Sequence, residues 1–452
     1  MKRPMSALVG ALLVAGSLTS LVSAAPADTV DRPATVTAPA QRVTGLTDVV
    51  SIFNRSNAIL PAVQSASTAA AVDAGGAWAL GRGATIGLRT VRRDGLAVKA
   101  APTDFQYPLS VTALPVRAIG PIMGTQVSAT VAVGQVVMSA SGAALNKTRA
   151  GDLIDLVADD GGIRTFTVGL VADDVTVGGA EVVISPTMAD SLGMVIETRV
   201  VLWGFQSRGA IDVALDAAGV SARSDTRIRR SWDAADPDST LGLVATKQLL
   251  GEFAYSVSPL DVVTLTSDWV NAYVPAAREL LLAEIPIRAR CNNEIRADLV
   301  AALTEVAQRG LAGAIDVENT NAFGGCFNPR FNRLSAALGS LSRHAWAGAL
   351  DTNTVTNAQG ATPQMNCDVV RIFRKHKFAW GGNFLTPDGM HFEWVGTRRD
   401  QLQYPSKYCP NLAGGATTTG IEADGGSATA KPIAVETTRD TLFADDGWAE
   451  SE

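Results

Sequence analysis

Two of the three histidines in this chain lie close to acidic residues, in a pattern that suits a divalent metal ion. His344 precedes Asp351 by seven residues, and His391 follows Asp388 by three. A catalytic zinc takes three protein ligands from His, Asp, Glu or Cys and keeps a fourth position for water, whose pKa it lowers to roughly 7. His344, Asp351 and His391 are therefore candidate zinc ligands. On spacing alone a structural His–Asp pair is the commoner interpretation, so the metal hypothesis needs support from elsewhere in the sequence.

A hydrolytic zinc site also needs a base and a cation. A carboxylate near the zinc-activated water can accept its proton and pass it to the leaving amine, and Asp388 is the candidate for this role. A cation can hold the carbonyl or carboxylate of a substrate, and both Arg330 and Arg333 lie shortly before His344 in the chain. We favour Arg330.

Residues beside the candidate ligands either support the site or pack in the core. Glu393, close to the last ligand, is a candidate for orienting it. Ser342 and Trp346 flank His344 and are assigned to the same surrounding set. Trp346 could line a substrate groove, although aromatic residues beside a site more often pack. The third histidine, His376, lies in a basic stretch and is predicted to occupy a solvated turn.

Helical periodicity appears after about residue 242 and is clearest over residues 293–310. Apolar residues recur there at intervals of four, four and three positions, and Gly310 follows as a C-terminal stop signal. Short strands are predicted at Ala314–Val317 and Phe392–Val395. Residues 242–409 are therefore predicted to form an α+β domain.

Residues 77–206 are rich in Val, Thr and Gly and show the period-two alternation of strands. Val127–Val133 and Ile163–Val168 are examples, and turn signals at Ala158–Gly162 and Val177–Gly179 fall between apolar runs. We predict a mostly β domain here, built as a small barrel or sandwich, in a multi-domain chain.

The amino terminus has the three-part pattern of a secretory signal peptide, predicted over residues 1–24. Lys2 and Arg3 precede an apolar run from Ala7 to Ala15, and Val22-Ser-Ala24 offers a cleavage site. Glycine and serine residues interrupt the run, and no later stretch supplies the about 20 apolar residues that span a membrane. We expect a secreted mature protein without a transmembrane segment.

Two further segments show little regular periodicity. Residues 25–76 are predicted to be a flexible leader, with a possible helix between Leu46 and Ala70 that Pro61 would break or end. The charged and turn-rich residues 207–241 are predicted to be a linker between the two domains.

The charge distribution argues against a nucleic-acid-binding protein. The formal charge is -6, and residues 411–452 hold eight acidic side chains against one lysine and one arginine, so the rest of the chain is neutral. A neutral body without a basic stripe gives no electrostatic attraction for nucleic acid. Residues 410–452 are predicted to be a disordered acidic tail, in which Phe443 and Trp448 could mark a docking motif although disorder is favoured.

The four cysteines are all in the carboxy-terminal part of the chain, at Cys291, Cys326, Cys367 and Cys409. An exported protein can form disulfides, so two bridges are expected. Four cysteines allow three connectivities, and the sequence does not choose among them. A zinc site made from all four is the alternative, and it is less favoured because no Cys-x-x-Cys pair occurs.

Several motifs occur in order between Gly324 and Glu393, and together they resemble a family of cell-wall hydrolases. This is the zinc D-alanyl-D-alanine carboxypeptidase and L-alanyl-D-glutamate peptidase family, which includes the VanY-type metallopeptidases. The resemblance does not extend to the β domain. The motifs are Gly324-Gly-Cys-Phe-Asn-Pro-Arg330, Leu341-Ser-Arg-His344-Ala-Trp-Ala-Gly-Ala-Leu-Asp351-Thr-Asn353, Trp380-Gly-Gly-Asn, and Pro387-Asp388-Gly-Met-His391-Phe-Glu393.

The resemblance implies one zinc ion per chain, held by His344, Asp351 and His391. It places the base at Asp388 and the substrate-binding arginine at Arg330, and it implies a small antiparallel sheet in the peptidase domain. It also supplies the substrate class, peptidoglycan stem peptides, and the predicted signal peptide adds a location in the medium or at the cell wall. D-alanyl-D-alanine carboxypeptidase activity is favoured most. The alternatives are an L-alanyl-D-glutamate endopeptidase and a catalytically weak wall-binding protein that keeps the fold.

The sequence departs from the family pattern in two places. The family glycine three residues after the first ligand falls on Ala347, and the chain carries Gly348 next to it. If the backbone needs a positive φ there, alanine is strained by roughly 1 kcal/mol. Cys367 stands near the position where such enzymes often carry an acidic residue. The bridges expected on this comparison are Cys367–Cys409 and Cys291–Cys326.

Overall fold

The structure, a computed structural model, describes residues 46–275, 279–282, 285–288, 290–316, 319, 322–412 and 438–444. The predicted signal peptide at 1–24, the first part of the predicted leader, Trp448 and most of the predicted acidic tail lie outside the described residues. None of the described helices is both long enough and apolar enough to cross a membrane.

Ten strands in the first half of the described chain are joined in one hydrogen-bonded sheet. In chain order they are β1 (Val49–Asn54), β2 (Ala77–Arg93), β3 (Leu96–Ala100), β4 (Tyr107–Ala113), β5 (Val136–Ser139), β6 (Leu153–Val157), β7 (Ile163–Ala172), β8 (Val182–Ile184), β9 (Arg199–Trp203) and β10 (Thr226–Arg230). Across the sheet the order is β10-β1-β9-β2-β4-β8-β5-β7-β6, and β3 pairs with β2. Because β2 is 17 residues long, it extends through both halves of this sheet.

The second half of β2 closes part of the sheet into a barrel. It pairs with β4 over Arg82–Leu88 and with β6 over Gly87–Arg92. The closed circuit is therefore β2-β4-β8-β5-β7-β6. Buried aliphatic side chains such as Leu88, Leu109 and Ile154 pack together in its core, as alternate residues of barrel strands do. The prediction of a barrel-like β region is confirmed.

The first half of β2 belongs to an open sheet with β9, β1 and β10, which helices cover on both faces. On one face lie α1 (Pro61–Asp73) and α6 (Arg208–Ala217). On the other face lie α2 (Val116–Met123) and α3 (Thr125–Ala132). Two short helices follow barrel strands: α4 (Ala140–Asn146) connects β5 to β6, and α5 (Pro186–Ser191) leads from β8 to β9 of the open sheet.

Three predictions for this part of the chain are wrong. Residues 49–73 are not a flexible leader, because β1 is wholly buried between β9 and β10. The possible helix forms only in the second half of its predicted range, as α1, and Pro61 begins it rather than ending it because the fixed φ of proline suits the first helical turn. The segment 207–241 is not simply a linker, because it contains α6 and β10. Val127–Val133 is not a strand but largely α3, because its apolar residues also recur at i and i+4.

The carboxy-proximal part of the chain mixes helices and short strands. Its helices are α7 (Leu243–Leu250), α8 (Ser267–Tyr273), α9 (Asn293–Gln308) and α10 (Cys367–Lys375). Its strands are β11 (Tyr255–Val257), β12 (Val263–Leu265), β13 (Glu279–Leu282), β14 (Ile285–Arg288), β15 (Phe323–Gly325), β16 (Ala349–Thr352), β17 (Phe378–Trp380) and β18 (His391–Trp394). Single 3-10 turns occur at Ala312–Ala314, Ala336–Leu338, Arg343–Trp346, Gly381–Asn383 and Thr438–Thr441.

A four-stranded antiparallel sheet in the order β15-β16-β18-β17 lies at the centre of this region. It confirms the expectation of a small antiparallel sheet, and α9 and β18 confirm the predicted helix and the second predicted strand. The strand predicted at Ala314–Val317 is wrong for its described residues, because the chain there leaves a 3-10 turn without pairing. Tertiary pairing, rather than a short apolar run, decides whether a strand forms.

Both expected disulfides are present. Cys291, just before α9, is bonded to Cys326, just after β15, and Cys367 at the start of α10 is bonded to Cys409. The bridges therefore tie a helix to the loop after an edge strand and a second helix to the end of the region. Disulfides of this kind are typical of exported proteins.

A buried ion pair joins the barrel to the carboxy-proximal region. Lys247 of α7 lies with its Nζ 2.7 Å from Glu181 Oε1 and 2.9 Å from the carbonyl oxygen of Pro108, and both charged side chains are fully buried. The backbones of Gln106 and Tyr255 also pair directly. The described chain from residue 46 onwards is accordingly one unit of contacts rather than two units on a free linker.

Candidate metal centre

The central antiparallel sheet brings two of the candidate ligands side by side. β16 and β18 pair in a register that sets Asp351 directly opposite His391. Residues opposite one another on antiparallel strands have their side chains on the same face of the sheet. Gly324 of β15 lies next to Asp351 of β16. A Cβ added at Gly324 would come within 3.1 Å of the Asp351 Cβ, so any larger residue at position 324 would require the two strands to move apart slightly.

The third candidate ligand, His344, is presented by the 3-10 turn at Arg343–Trp346. The Ser342 hydroxyl caps this turn by accepting a hydrogen bond from the His344 amide at 3.2 Å. His344 Nδ1 lies 2.9 Å from the carbonyl oxygen of Cys326, which orients the ring so that Nε2 faces Asp351. The turn ends at Ala347, whose φ of 51° and ψ of 29° lie in the left-handed region. Ser342 therefore positions a ligand through the backbone.

The three candidate ligands converge on one point. His344 Nε2 lies 3.1 Å from Asp351 Oδ2, and His391 Nδ1 lies 3.1 Å from Asp351 Oδ1. One ligand atom from each residue falls within 4.8 Å of the other two. Zinc bonds to His nitrogen and carboxylate oxygen are about 2.0–2.2 Å, so neighbouring donors around one zinc stand roughly 3–4 Å apart. Two imidazole nitrogens and one carboxylate in this arrangement fit a three-ligand catalytic zinc.

The electrostatics of Asp351 also suit a metal ligand. Burial alone would raise the pKa of its carboxyl, but the charge of His344 and the hydrogen bonds from His344 and His391 outweigh burial and hold that pKa well below its ordinary value. The carboxylate is therefore ionised at neutral pH, as metal binding requires.

Behind His391 lies a buried carboxylate. Glu393 Oε2 is 3.5 Å from His391 Nε2, and Glu393 Oε1 accepts a hydrogen bond from Arg343 Nε at 3.2 Å. Arg343 is itself held by the carbonyl oxygen of Leu241 at 2.6 Å. A carboxylate on the far nitrogen of a metal-binding histidine fixes the ring and makes it a better donor. The sequence prediction for Glu393 is consistent with this placement, whereas Arg343 was not anticipated, because nothing in its type or spacing separates it from a surface arginine.

Replacing Glu393 with glutamine is expected to lower zinc affinity about 10- to 100-fold, because the side chain keeps its shape but loses the charge that supports His391. Competition with a chromogenic chelator measures the affinity. The exposed glutamate Glu294, at the start of α9, provides the control, and Glu294→Gln should leave the affinity unchanged. An affinity within twofold of the native value in Glu393→Gln would show that the carboxylate does not support the ligand.

Asp388 lies in the loop between β17 and β18, three residues before His391. Its amide donates to the carbonyl oxygen of Gly381 at 2.8 Å, and its own carbonyl oxygen accepts from the His391 amide at 3.2 Å. An added Cβ at Gly381 would come within 2.6 Å of the Asp388 carbonyl oxygen and 3.1 Å of the His391 Cβ. The fold therefore holds the backbone of the candidate base close to the third ligand.

Two neighbouring segments complete the surroundings of Asp388, which is buried. The Trp380 indole donates to the carbonyl oxygen of Gly389 at 2.9 Å, next to the base. From the loop after β16, Gln359 Nε2 lies 3.5 Å from Asp388 Oδ2, and the amide of Gly360 donates to the carbonyl oxygen of Pro387 at 2.7 Å. Gln359 was not anticipated, because a lone glutamine in a polar loop carries no sequence signal.

Arg330 is placed beside the turn that carries His344. Its carbonyl oxygen accepts a hydrogen bond from the Ser342 amide at 3.0 Å. Phe331, which follows Arg330, forms an antiparallel bridge with Leu341, which precedes Ser342. Its side chain is half-buried, with Nη1 3.3 Å from the carbonyl oxygen of Phe331. The backbone of Arg330 is thus bonded to Ser342, two residues before the candidate ligand His344, although Arg330 and His344 are fourteen positions apart in sequence.

Trp346 and His376 both lie outside the three-residue cluster of candidate ligands. Trp346 is fully buried, donates from Nε1 to the carbonyl oxygen of Gly251 at 3.2 Å and packs on Phe253 with 4.5 Å between ring centroids. It therefore packs in the core, as the sequence favoured, and does not line a substrate groove. His376 is not simply solvated, because its Nε2 lies 2.7 Å from Glu305 Oε2. It does not join the three ligands.

A family model described as D-alanyl-D-alanine carboxypeptidase matches residues 336–394. The matched range contains His344, Asp351, Asp388, His391 and Glu393, and it supports the resemblance of this region to zinc peptidases of the M15 family. The match does not reach the β domain, Arg330 or the first disulfide.

Comparisons with whole proteins add little. No curated protein matches this chain. Among solved structures, the extracellular domain of the noncanonic ABC-type transporter YknZ from Gram-positive bacteria is similar over 40% of this chain and 98% of that chain, at 10% sequence identity and a TM-score of 0.25. A score that low carries no argument about this chain.

Proposed function

We propose that this protein is an exported zinc metallopeptidase that hydrolyses peptide bonds in peptidoglycan stem peptides, most closely a VanY-type D-alanyl-D-alanine carboxypeptidase. The observation that carries the proposal is the convergence of His344, Asp351 and His391 within 4.8 Å inside the region matched by the peptidase family. Two disulfides are in keeping with export, and the substrate class comes from the family.

Zinc, when bound by these three residues, supplies a Lewis acid that polarises the scissile carbonyl and lowers the pKa of water to about 7. Asp388 accepts the proton of the attacking water and returns it to the leaving amine. Arg330 holds the terminal carboxylate of the stem peptide, or the negative charge that develops on the carbonyl oxygen. Glu393 and the Cys326 carbonyl hold the two imidazoles in fixed orientations, which removes the cost of ordering them during the reaction.

The rival function is a wall-binding protein with weak or no catalysis, and Ala347 is the feature that favours it. Alanine at a φ of 51° costs roughly 1–2 kcal/mol relative to glycine. The turn is nevertheless formed, since the Ala347 amide donates to the His344 carbonyl oxygen at 3.1 Å and its carbonyl oxygen accepts from Asn292 at 2.9 Å. The strain therefore lowers stability without displacing the ligand, and this supports the enzyme over its rival.

The test combines metal analysis with digestion of muropeptides. Purified protein is expected to contain about one zinc per chain, as a three-ligand site predicts. Mass spectrometry of digested stem peptides is expected to show loss of a terminal D-alanine. Cleavage between L-alanine and D-glutamate would assign the protein to the endopeptidase alternative. Bound zinc and bound stem peptide without any cleavage would establish the wall-binding rival.

A further inference from the structure

The end of the chain returns to the β domain. Residues 413–437, rich in Gly, Ala and Thr, separate the last residue of the peptidase region from a short segment, 438–444, that we name the tail segment. Within it Leu442, Phe443 and Ala444 are buried. The prediction of a disordered tail is therefore wrong for this segment, and the alternative of a docking motif at Phe443 is the better interpretation.

The main chain of the tail segment is held by the β domain. The Phe443 amide donates to the carbonyl oxygen of Gly178 at 2.7 Å, and its carbonyl oxygen accepts from the Thr112 hydroxyl at 3.3 Å. Arg199 Nη1 donates to the Leu442 carbonyl oxygen at 3.4 Å. These bonds fix the direction and register of the segment.

Two side chains anchor the tail segment. Arg439 donates from its two terminal nitrogens to the carbonyl oxygen of Thr47 at 2.7 Å and to that of Ile122 at 3.0 Å. The Phe443 ring is 1% exposed, and the Arg199 guanidinium lies 5.5 Å from its centroid, within range of a cation–π contact. The residues that receive the segment, named here the tail groove, are Thr47, Thr112, Ile122, Gly178 and Arg199.

Gly178 gives the tail groove its fit to an aromatic ring. A Cβ added at Gly178 would lie 2.7 Å from Phe443 Cδ2, 3.4 Å from Phe443 Cε2 and 3.6 Å from the carbonyl oxygen of Arg439. These three nearest atoms all belong to the tail segment, so a side chain at this position would first obstruct the tail. The groove is therefore open to a phenylalanine only because residue 178 is glycine.

We propose that the tail groove is a peptide-binding site and that the tail segment is its tethered ligand, a peptide of the pattern Arg-x-x-Leu-Phe. Main-chain hydrogen bonds with two side-chain anchors are how folded domains recognise short peptides. The partners that the structure gives to the segment lie in the β domain, and none of the described ones lies in the peptidase region. A tether raises the local concentration of such a ligand to roughly the millimolar range, so a modest intrinsic affinity fills the groove.

The first test blocks the groove in the full-length chain. Gly178→Asn adds the obstructing side chain with a residue that tolerates positive φ, and Gly204→Asn is the matched control, because Gly204 has a φ of +69° and no atom within 4 Å of an added Cβ. Hydrogen exchange at the Phe443 amide is expected to accelerate at least about 100-fold in Gly178→Asn and to stay slow in Gly204→Asn. Unchanged protection in Gly178→Asn would overturn the proposal.

The second test adds the ligand in trans. A labelled peptide of residues 436–446 is expected to bind the full-length Phe443→Ala chain, whose own tail is weakened, at least about tenfold more tightly than the native chain, whose groove is filled. Adding Gly178→Asn to Phe443→Ala should abolish that binding. If Phe443→Ala folds with native zinc content but fails to bind the peptide at millimolar concentration, the segment is a fixed part of the fold and the proposal is wrong. If Phe443→Ala does not fold, the exchange measurement on Gly178→Asn decides.

Discussion

Replacing Asp388 with asparagine is expected to slow the hydrolysis of a stem peptide by about 100- to 10,000-fold, the usual contribution of a positioned base. Asparagine has nearly the same shape and keeps the backbone bonds to Gly381 and His391, but it cannot accept the proton of water. The loss is therefore expected in kcat, with KM changed little. Steady-state release of D-alanine measures both constants.

Zinc content separates a catalytic effect from a structural one. Asp388→Asn should retain about one zinc per chain, because the three ligands are elsewhere. Asp368 provides the control, since its carboxylate is exposed on the first turn of α10 and pairs with a neighbouring arginine, Arg371, at 2.8 Å. Asp368→Asn should have native activity. Full activity in Asp388→Asn would assign the base to another residue.

The cluster of His344, Asp351 and His391 could be predicted from sequence because the chemistry of a candidate metal site is carried by residue type and order. Histidine is scarce in this chain, and the order of the motifs limits which histidines and aspartates can belong together. The sequence did not show how they meet. Asp351 and His391 face each other only because β16 and β18 pair in one register, and a shift of one residue would turn one of the two side chains to the other face of the sheet.

Two of the supporting residues, Arg343 and Gln359, could not be predicted, because their roles depend on contacts between distant parts of the chain. Arg343 matters through Glu393, fifty positions away, and Gln359 matters through a loop that folds back on Asp388. The segment around β1 was misread for the same reason. Its apolar residues fit a weak helix locally, and pairing with β9 and β10 makes them a central strand.

The clearest example is Asp238, which the sequence placed in a linker. Its carboxylate is 2% exposed and makes two bonds to the fully buried Arg374 of α10, at 2.9 Å and 2.5 Å. It also accepts from the Trp380 amide at 3.1 Å and from Asn383 Nδ2 at 2.7 Å. One aspartate of the supposed linker therefore holds both α10 and the turn that leads to the loop carrying Asp388.

Asp238→Ala is expected to lower the free energy of unfolding by about 3–5 kcal/mol, because it leaves the Arg374 charge buried without its carboxylate partner. The Trp380 amide and the Asn383 side chain also lose their hydrogen-bond acceptor, which loosens the turn at Gly381–Asn383. The Gly381 carbonyl oxygen in this turn binds the Asp388 amide, so the position of Asp388 depends on the turn. Activity should therefore fall even at temperatures where the protein remains folded. Urea denaturation followed by circular dichroism measures the stability.

An ion pair on the surface gives the comparison. Asp48 pairs with Arg208 at 2.7 Å, but both side chains are substantially exposed, so Asp48→Ala should cost no more than about 1 kcal/mol. The difference between the two losses of unfolding free energy measures the effect of burying the ion pair, since each variant removes an aspartate that binds an arginine through two hydrogen bonds. Equal losses in the two variants would mean that water reaches Arg374 and takes over the role of Asp238. In that case Trp380 and the second disulfide, rather than Asp238, would hold the loop that carries Asp388.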